Sequence, residues 1–111
     1  MTRITTHVLD TSAGRPAAGI AITLEMHSGS GWEPVASATT DRDGRAPALG
    51  EKTDHPAGTY RLRFGISEYF AANQVSAFYP SVEVTFMVKA GEHYHLPLLV
   101  SPFGYSTYRG S

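Results

Sequence analysis

The stretch Ile20-Ala21-Ile22-Thr23-Leu24-Glu25-Met26 places apolar side chains at every second position, with Ala21, Thr23 and Glu25 between them. Period two with one polar face is the pattern of a strand that buries one side. The alternation returns in Tyr60-Arg61-Leu62-Arg63-Phe64. It returns again where Val82, Val84, Phe86 and Val88 alternate with Ser81, Glu83, Thr85 and Met87. Weaker strand patterns cover residues 4–9, 32–39 and 92–100. Turn chemistry separates the runs: Ser12-Ala13-Gly14-Arg15-Pro16, the hairpin loop Ser28-Gly29-Ser30-Gly31, the dipeptide Asp43-Gly44, and Ser101-Pro102-Phe103-Gly104. Short strands at this spacing predict an all-β sandwich or barrel.

One segment departs from the pattern. Residues 67–73, Ser67-Glu68-Tyr69-Phe70-Ala71-Ala72-Asn73, carry a capping Ser67, an acid in the first turn and Asn73 at the end, which predicts a single short helix. No repeat, linker or low-complexity tract divides the 111 residues, so residues 1–111 read as one domain.

Composition excludes several classes of function. Nine basic residues against ten acidic leave a net charge of −1, without the basic excess of a nucleic-acid binder. With no cysteine, disulfides, thiolate metal sites and a cysteine nucleophile are excluded. No apolar run reaches the ~18 residues of a membrane span, and the start shows no apolar leader; a cytoplasmic protein is expected. Charged residues make up 17% of the chain, below the average of about 25%, which implies a surface partly covered by something other than solvent. No Gly-x-Ser-x-Gly elbow, paired carboxylates of a glycosidase, Walker loop or dinucleotide fingerprint is present.

Histidine and arginine chemistry remain. His93 and His95 lie two apart on a strand, with Tyr94, Leu96, Leu98 and Val100 on its core face, so both histidines share the opposite face with Pro97 and Leu99. His7 faces away from a core side formed by Ile4, Thr6 and Val8. The histidine face reads as a plain polar strand face, a subunit contact, a site lining or, from His-x-His spacing with His7, a weak metal set. His27 and His55 sit beside turns and read as solvated loop histidines. Asp41-Arg42-Asp43-Gly44-Arg45 lacks the acids of a calcium loop and reads as a charged turn, with Arg45 placed to present its planar fork to carbonyl or anionic oxygens. The end, Tyr105-Ser106-Thr107-Tyr108-Arg109-Gly110-Ser111, is open to two readings: a frayed terminus, or one folded into a pocket.

Two stretches carry a family resemblance. Ile4-Thr5-Thr6-His7-Val8-Leu9-Asp10-Thr11 with Gly14-Arg15-Pro16-Ala17 resembles the opening strand and loop of the transthyretin-like family. The close, from His95-Leu96-Pro97 through Tyr108-Arg109-Gly110-Ser111, is similar to the signature of its 5-hydroxyisourate hydrolase branch. The resemblance implies a sandwich of two four-stranded sheets with one short helix. It implies a homotetramer, a dimer of dimers, with sites in the channel between dimers. It also implies hydrolysis of 5-hydroxyisourate to 2-oxo-4-hydroxy-4-carboxy-5-ureidoimidazoline in urate degradation, with no metal or organic cofactor. His7, Arg45 and His95 match the family's catalytic positions, and Tyr108, Arg109, Gly110 and Ser111 its substrate-binding end. The residues do not order the two histidines; His95 is taken as the base and His7 as the residue that orients water or substrate. The alternative is a small-ligand carrier of transthyretin type, and a third reading is a structural β-sandwich module.

Overall fold

Ile22 and Leu24 are fully buried, and so are Tyr60, Leu62 and Phe64, which lie opposite this run in an antiparallel pairing that sets Leu24 beside Leu62 and Ile22 beside Phe64. That pairing is the centre of one sheet in the computed structural model, which describes residues 1–51 and 54–110. The strands are β1 (Arg3–Asp10), β2 (Arg15–Pro16), β3 (Ala21–Ser28), β4 (Gly31–Thr39), β5 (Gly58–Phe64), β6 (Val82–Val88), β7 (His93–Ser101) and β8 (Gly104–Thr107). One four-stranded sheet runs β4-β3-β5-β6 and the other β2-β1-β7-β8. Their inner faces bury an aliphatic and aromatic core that includes Ile4, Val8, Leu96, Leu98 and Val100 from the second sheet.

The hairpin at Ser28-Gly29-Ser30-Gly31 forms as expected: Ser28 pairs with Gly31, and Gly29 takes the left-handed φ of 57°. The helix is displaced by one residue. Helix α1 spans Ile66–Ala72, its N-cap position is Gly65, and no side chain caps it. Ser67 is therefore inside the first turn rather than at its cap; the burial of Ile66, Tyr69 and Phe70 is what fixes the helix. Tyr69 OH donates to Asp10 Oδ2 at 2.7 Å, and Asp10 Oδ1 accepts from the backbone and hydroxyl of Ser12 and the backbone of Ala13. This ties α1 to the end of β1.

A 3-10 turn over Pro47–Gly50 and strand β8 carry no apolar alternation. Strand β8 buries none of its residues and exists through its ladder with β7, from Leu98 beside Thr107 to Ser101 beside Gly104. His55 is also corrected by the structure. It is not a solvated loop histidine: it is fully buried, with its ring edge-on to Tyr60 at 5.8 Å. Among the described residues no helix is long and apolar enough to cross a membrane.

Candidate active site

The parallel pairing of β1 with β7 builds the site. Ile4, Thr6 and Val8 pair with Tyr94, Leu96 and Leu98 and point into the core. The intervening residues therefore share the outer face, in the register Arg3 beside His93, Thr5 beside His95, His7 beside Pro97 and Leu9 beside Leu99. The histidines of two distant segments meet on one face of one sheet.

The charged turn docks against β1. Asp41 Oδ1 accepts from the backbone N–H of Asp43 at 2.9 Å and of Arg45 at 3.1 Å, the side-chain-capped turn typical of Asp. Gly44 has φ 77°, and a Cβ there would lie 2.3 Å from the Val8 carbonyl oxygen, so only glycine lets the turn approach the strand. Val8 N–H then donates to Gly44 O at 2.8 Å, and Arg45 bridges to His7. Arg45 thus arrives beside His7 by backbone pairing, its side chain exposed and unpaired by any carboxylate among the described residues.

Each histidine has one ring nitrogen committed. His7 Nε2 lies 2.8 Å from the Asp43 carbonyl oxygen, which only accepts, so Nε2 carries a proton and Nδ1 is the available atom. His95 Nδ1 lies 2.8 Å from Thr5 Oγ1, and its Nε2 has no hydrogen-bond partner among the described residues. The same hydroxyl lies 3.1 Å from His93 Nε2. Burial, with the positive charge of Arg45 and the nearby His7 and His93, holds the His95 pKa below its ordinary 6.5. His95 is therefore neutral at pH 7, the state a base requires.

The C-terminal segment closes over His95. Gly110 N–H donates to His95 O at 2.7 Å. A Cβ at Gly110 would lie 2.8 Å from His95 Cδ2, so the chain passes where no larger residue fits beside the ring.

The side chains of Tyr108 and Arg109 go elsewhere within the protomer. Arg109 lies over the Tyr94 ring at 4.5 Å and reaches Glu92 Oε1 at 3.2 Å, on the opposite face of the sheet from His95. Tyr108 is exposed and borders, with Phe86, Leu96 and Arg109, a cavity of about 440 Å³ between β6 and β8. Ser111 lies outside the described residues. The structure thus brings together His7, Arg45, His95 and the Gly110 backbone, and adds Thr5 and His93. Period two from His7 puts Thr5 on this face, but only the register of β1 against β7 places it between two imidazoles. Among the described residues no three His, Cys, Asp or Glu side chains converge as a metal-ligand set.

Comparison with known proteins gives this constellation a context. The model of the HIUase/Transthyretin family matches residues 4–110. The 5-hydroxyisourate hydrolase of Ralstonia nicotianae is 48% identical over 117 residues, spanning the whole of both chains. That of Salmonella dublin is 41% identical over 97% of this chain and 80% of its own length. The Klebsiella pneumoniae 5-hydroxyisourate hydrolase structure superposes with a TM-score of 0.85 at 34% identity, covering 97% of this chain and 98% of that one. Sea bream transthyretin in complex with thyroxine superposes with a TM-score of 0.90 at 31% identity, covering 96% and 93%. The backbone alone does not separate an enzyme from a carrier; the residues of the site do. By sequence and by fold, this chain belongs to the HIUase/Transthyretin family.

Proposed function

We infer that this chain is an enzyme that hydrolyses 5-hydroxyisourate to 2-oxo-4-hydroxy-4-carboxy-5-ureidoimidazoline, a step of urate degradation. The observation that carries the reading is the convergence of His7, Arg45 and a neutral His95 on one open sheet face. The relatives of highest sequence identity compared above are hydrolases, at 41% and 48%, against 31% for the carrier.

The chemistry follows from the available atoms. His95 Nε2 takes a proton from water as the water oxygen adds to the lactam carbonyl carbon. The Arg45 guanidinium stabilises the oxyanion that forms there. The carbon–nitrogen bond then breaks, the proton passes to the departing nitrogen, and the carbonyl carbon becomes a carboxylate. His7 Nδ1 orients the water or a substrate N–H. The Gly110 backbone holds His95 in place.

The assembly that suits this reading is a homotetramer, a dimer of dimers, with the histidine face lining a channel between dimers. Two features support it. The outermost strands β6 and β8 border the same cavity and offer unpaired edges, with Met87 81% and Tyr108 60% exposed. The histidine face also carries apolar Leu9 and Leu99 beside the titratable groups. In the tetramer Tyr108 and Arg109 belong to the walls around the site.

The test is direct. 5-Hydroxyisourate generated from urate by urate oxidase is mixed with protein in the presence of EDTA, and its absorbance decay is followed. Decay well above the spontaneous rate supports the hydrolase. Saturable binding without faster decay would assign the chain to the carriers instead.

A further inference from the structure

We propose that Thr5 and His93 are positioning residues that hold His95 in the tautomer whose Nε2 is free to act as a base. The proposal rests on the hydrolase reading for its kinetic consequence, but its structural content stands apart from it.

The Thr5 hydroxyl lies 2.8 Å from His95 Nδ1 and 3.1 Å from His93 Nε2. It has one proton to give and lone pairs to receive with. In one arrangement Thr5 donates to His93 Nε2 and accepts from His95 Nδ1–H, and His95 Nε2 keeps its lone pair. In the reverse arrangement His93 Nε2–H donates to Thr5, Thr5 donates to His95 Nδ1, and the His95 proton sits on Nε2, where it blocks base catalysis. The tautomers of the two imidazoles are therefore linked through one hydroxyl. This linkage gives His93 a role that its exposed position does not suggest. A neutral His93 that accepts from Thr5 selects the productive His95. A protonated His93 must donate from Nε2, which turns the Thr5 proton towards His95 Nδ1.

The charges around the pair favour the productive arrangement. Arg45 and His7 face His95, and both act against a proton charge on it. Arg3 stands beside His93 across the strand pair, and Arg109 Nη2 reaches the His93 carbonyl oxygen at 3.4 Å. Glu92, the acid next to His93 in sequence, is engaged by Arg109. Cations thus stand beside both imidazoles, and those facing His95 disfavour its charged form.

Thr5→Val preserves the shape of the side chain and its β-branch while removing the hydroxyl; Thr5→Ser restores the hydroxyl. Imidazole nitrogen NMR at pH 7.5 is expected to show wild-type His95 protonated on Nδ1, mixed tautomers in Thr5→Val, and recovery in Thr5→Ser. In steady-state kinetics Thr5→Val should lose about tenfold or more in kcat with KM little changed, and Thr5→Ser should regain most of it. An unchanged His95 tautomer in Thr5→Val overturns the proposal, as does a kcat within twofold of wild type. A wild-type protein that does not speed 5-hydroxyisourate decay overturns the hydrolase reading instead, and the tautomer measurement still decides the role of Thr5.

Discussion

Gly110 and His95 are joined twice: the Gly110 N–H donates to the His95 carbonyl at 2.7 Å, and a Cβ on Gly110 would come within 2.8 Å of His95 Cδ2. Gly110 and His95, the base of the proposed mechanism, are one structural unit. Gly110→Ala must push the imidazole aside, because its other neighbours, His95 O at 3.3 Å and Pro97 Cδ at 3.4 Å, leave no slack. Misplacement of a catalytic group by about 1 Å can cost ~10²-fold in rate. Gly110→Ala, and deletion of Gly110 and Ser111, are expected to fold normally and to be nearly inactive. A deletion variant that keeps more than half of wild-type turnover would show that the terminus is not part of the site.

His7→Asn and His95→Asn should each lower turnover by about 10²-fold or more, the range of general acid–base contributions. Both side chains lie on the outer sheet face, so thermal midpoints should barely move. His27→Asn is the control, since His27 is exposed, with its ring edge-on to Trp32 at 5.1 Å.

Arg45→Gln should show two effects. Loss of oxyanion stabilisation should cost about 10²-fold in kcat. The second effect is on pH dependence. Burial is the larger cause of the lowered His95 pKa and remains in the variant, but the repulsion from the Arg45 charge is gone. Imidazolium becomes easier to form, so the His95 pKa rises towards 6.5. The acid limb of the kcat/KM profile should therefore move to higher pH. A limb that stays in place or moves lower would separate Arg45 from His95.

The Asp10–Tyr69 contact governs stability rather than activity. Burial works to raise the Asp10 pKa, but the hydrogen bonds from Ser12, Tyr69 and Ala13 outweigh it and hold the carboxyl below its ordinary 3.8. The resulting stabilisation is fully present above that ordinary value and is lost as pH falls through the lower folded one. Tyr69, buried and bonded to Asp10, is pushed up to about 12. Tyr69→Phe should cost about 1.5–3 kcal/mol in urea denaturation at pH 7, the range for a hydrogen bond to a charged group, and should unfold at a higher pH on acidification. Turnover per folded protein should stay near wild type.

Much of the fold is legible in the alternation of Ile20–Met26, Tyr60–Phe64 and Ser81–Val88, because period two names the buried face without knowledge of partners. It does not name the partner. The parallel register of β1 with β7, which sets Thr5 between His93 and His95, depends on pairing across the whole chain. β8 was hidden because a strand held by backbone ladder bonds needs no inward apolar residue. His55 was misread because its burial comes from segments distant in sequence, and a turn-adjacent position says nothing of them. His7, Arg45 and His95 are named by residue type and resemblance; the structure places them on one face, and their catalytic role is the proposal. The side chains of Tyr108 and Arg109, named by the same resemblance, turn to the other face within one protomer.

The central claim is that a transthyretin-type fold is here made an enzyme by His7, Arg45 and His95. The most direct test measures the 5-hydroxyisourate decay rate as a function of protein concentration, for wild type and His95→Asn side by side in EDTA. The account predicts a rate that rises in proportion to wild-type protein and stays close to the spontaneous value with His95→Asn. Equal slopes for the two proteins, or no slope for wild type, would contradict it.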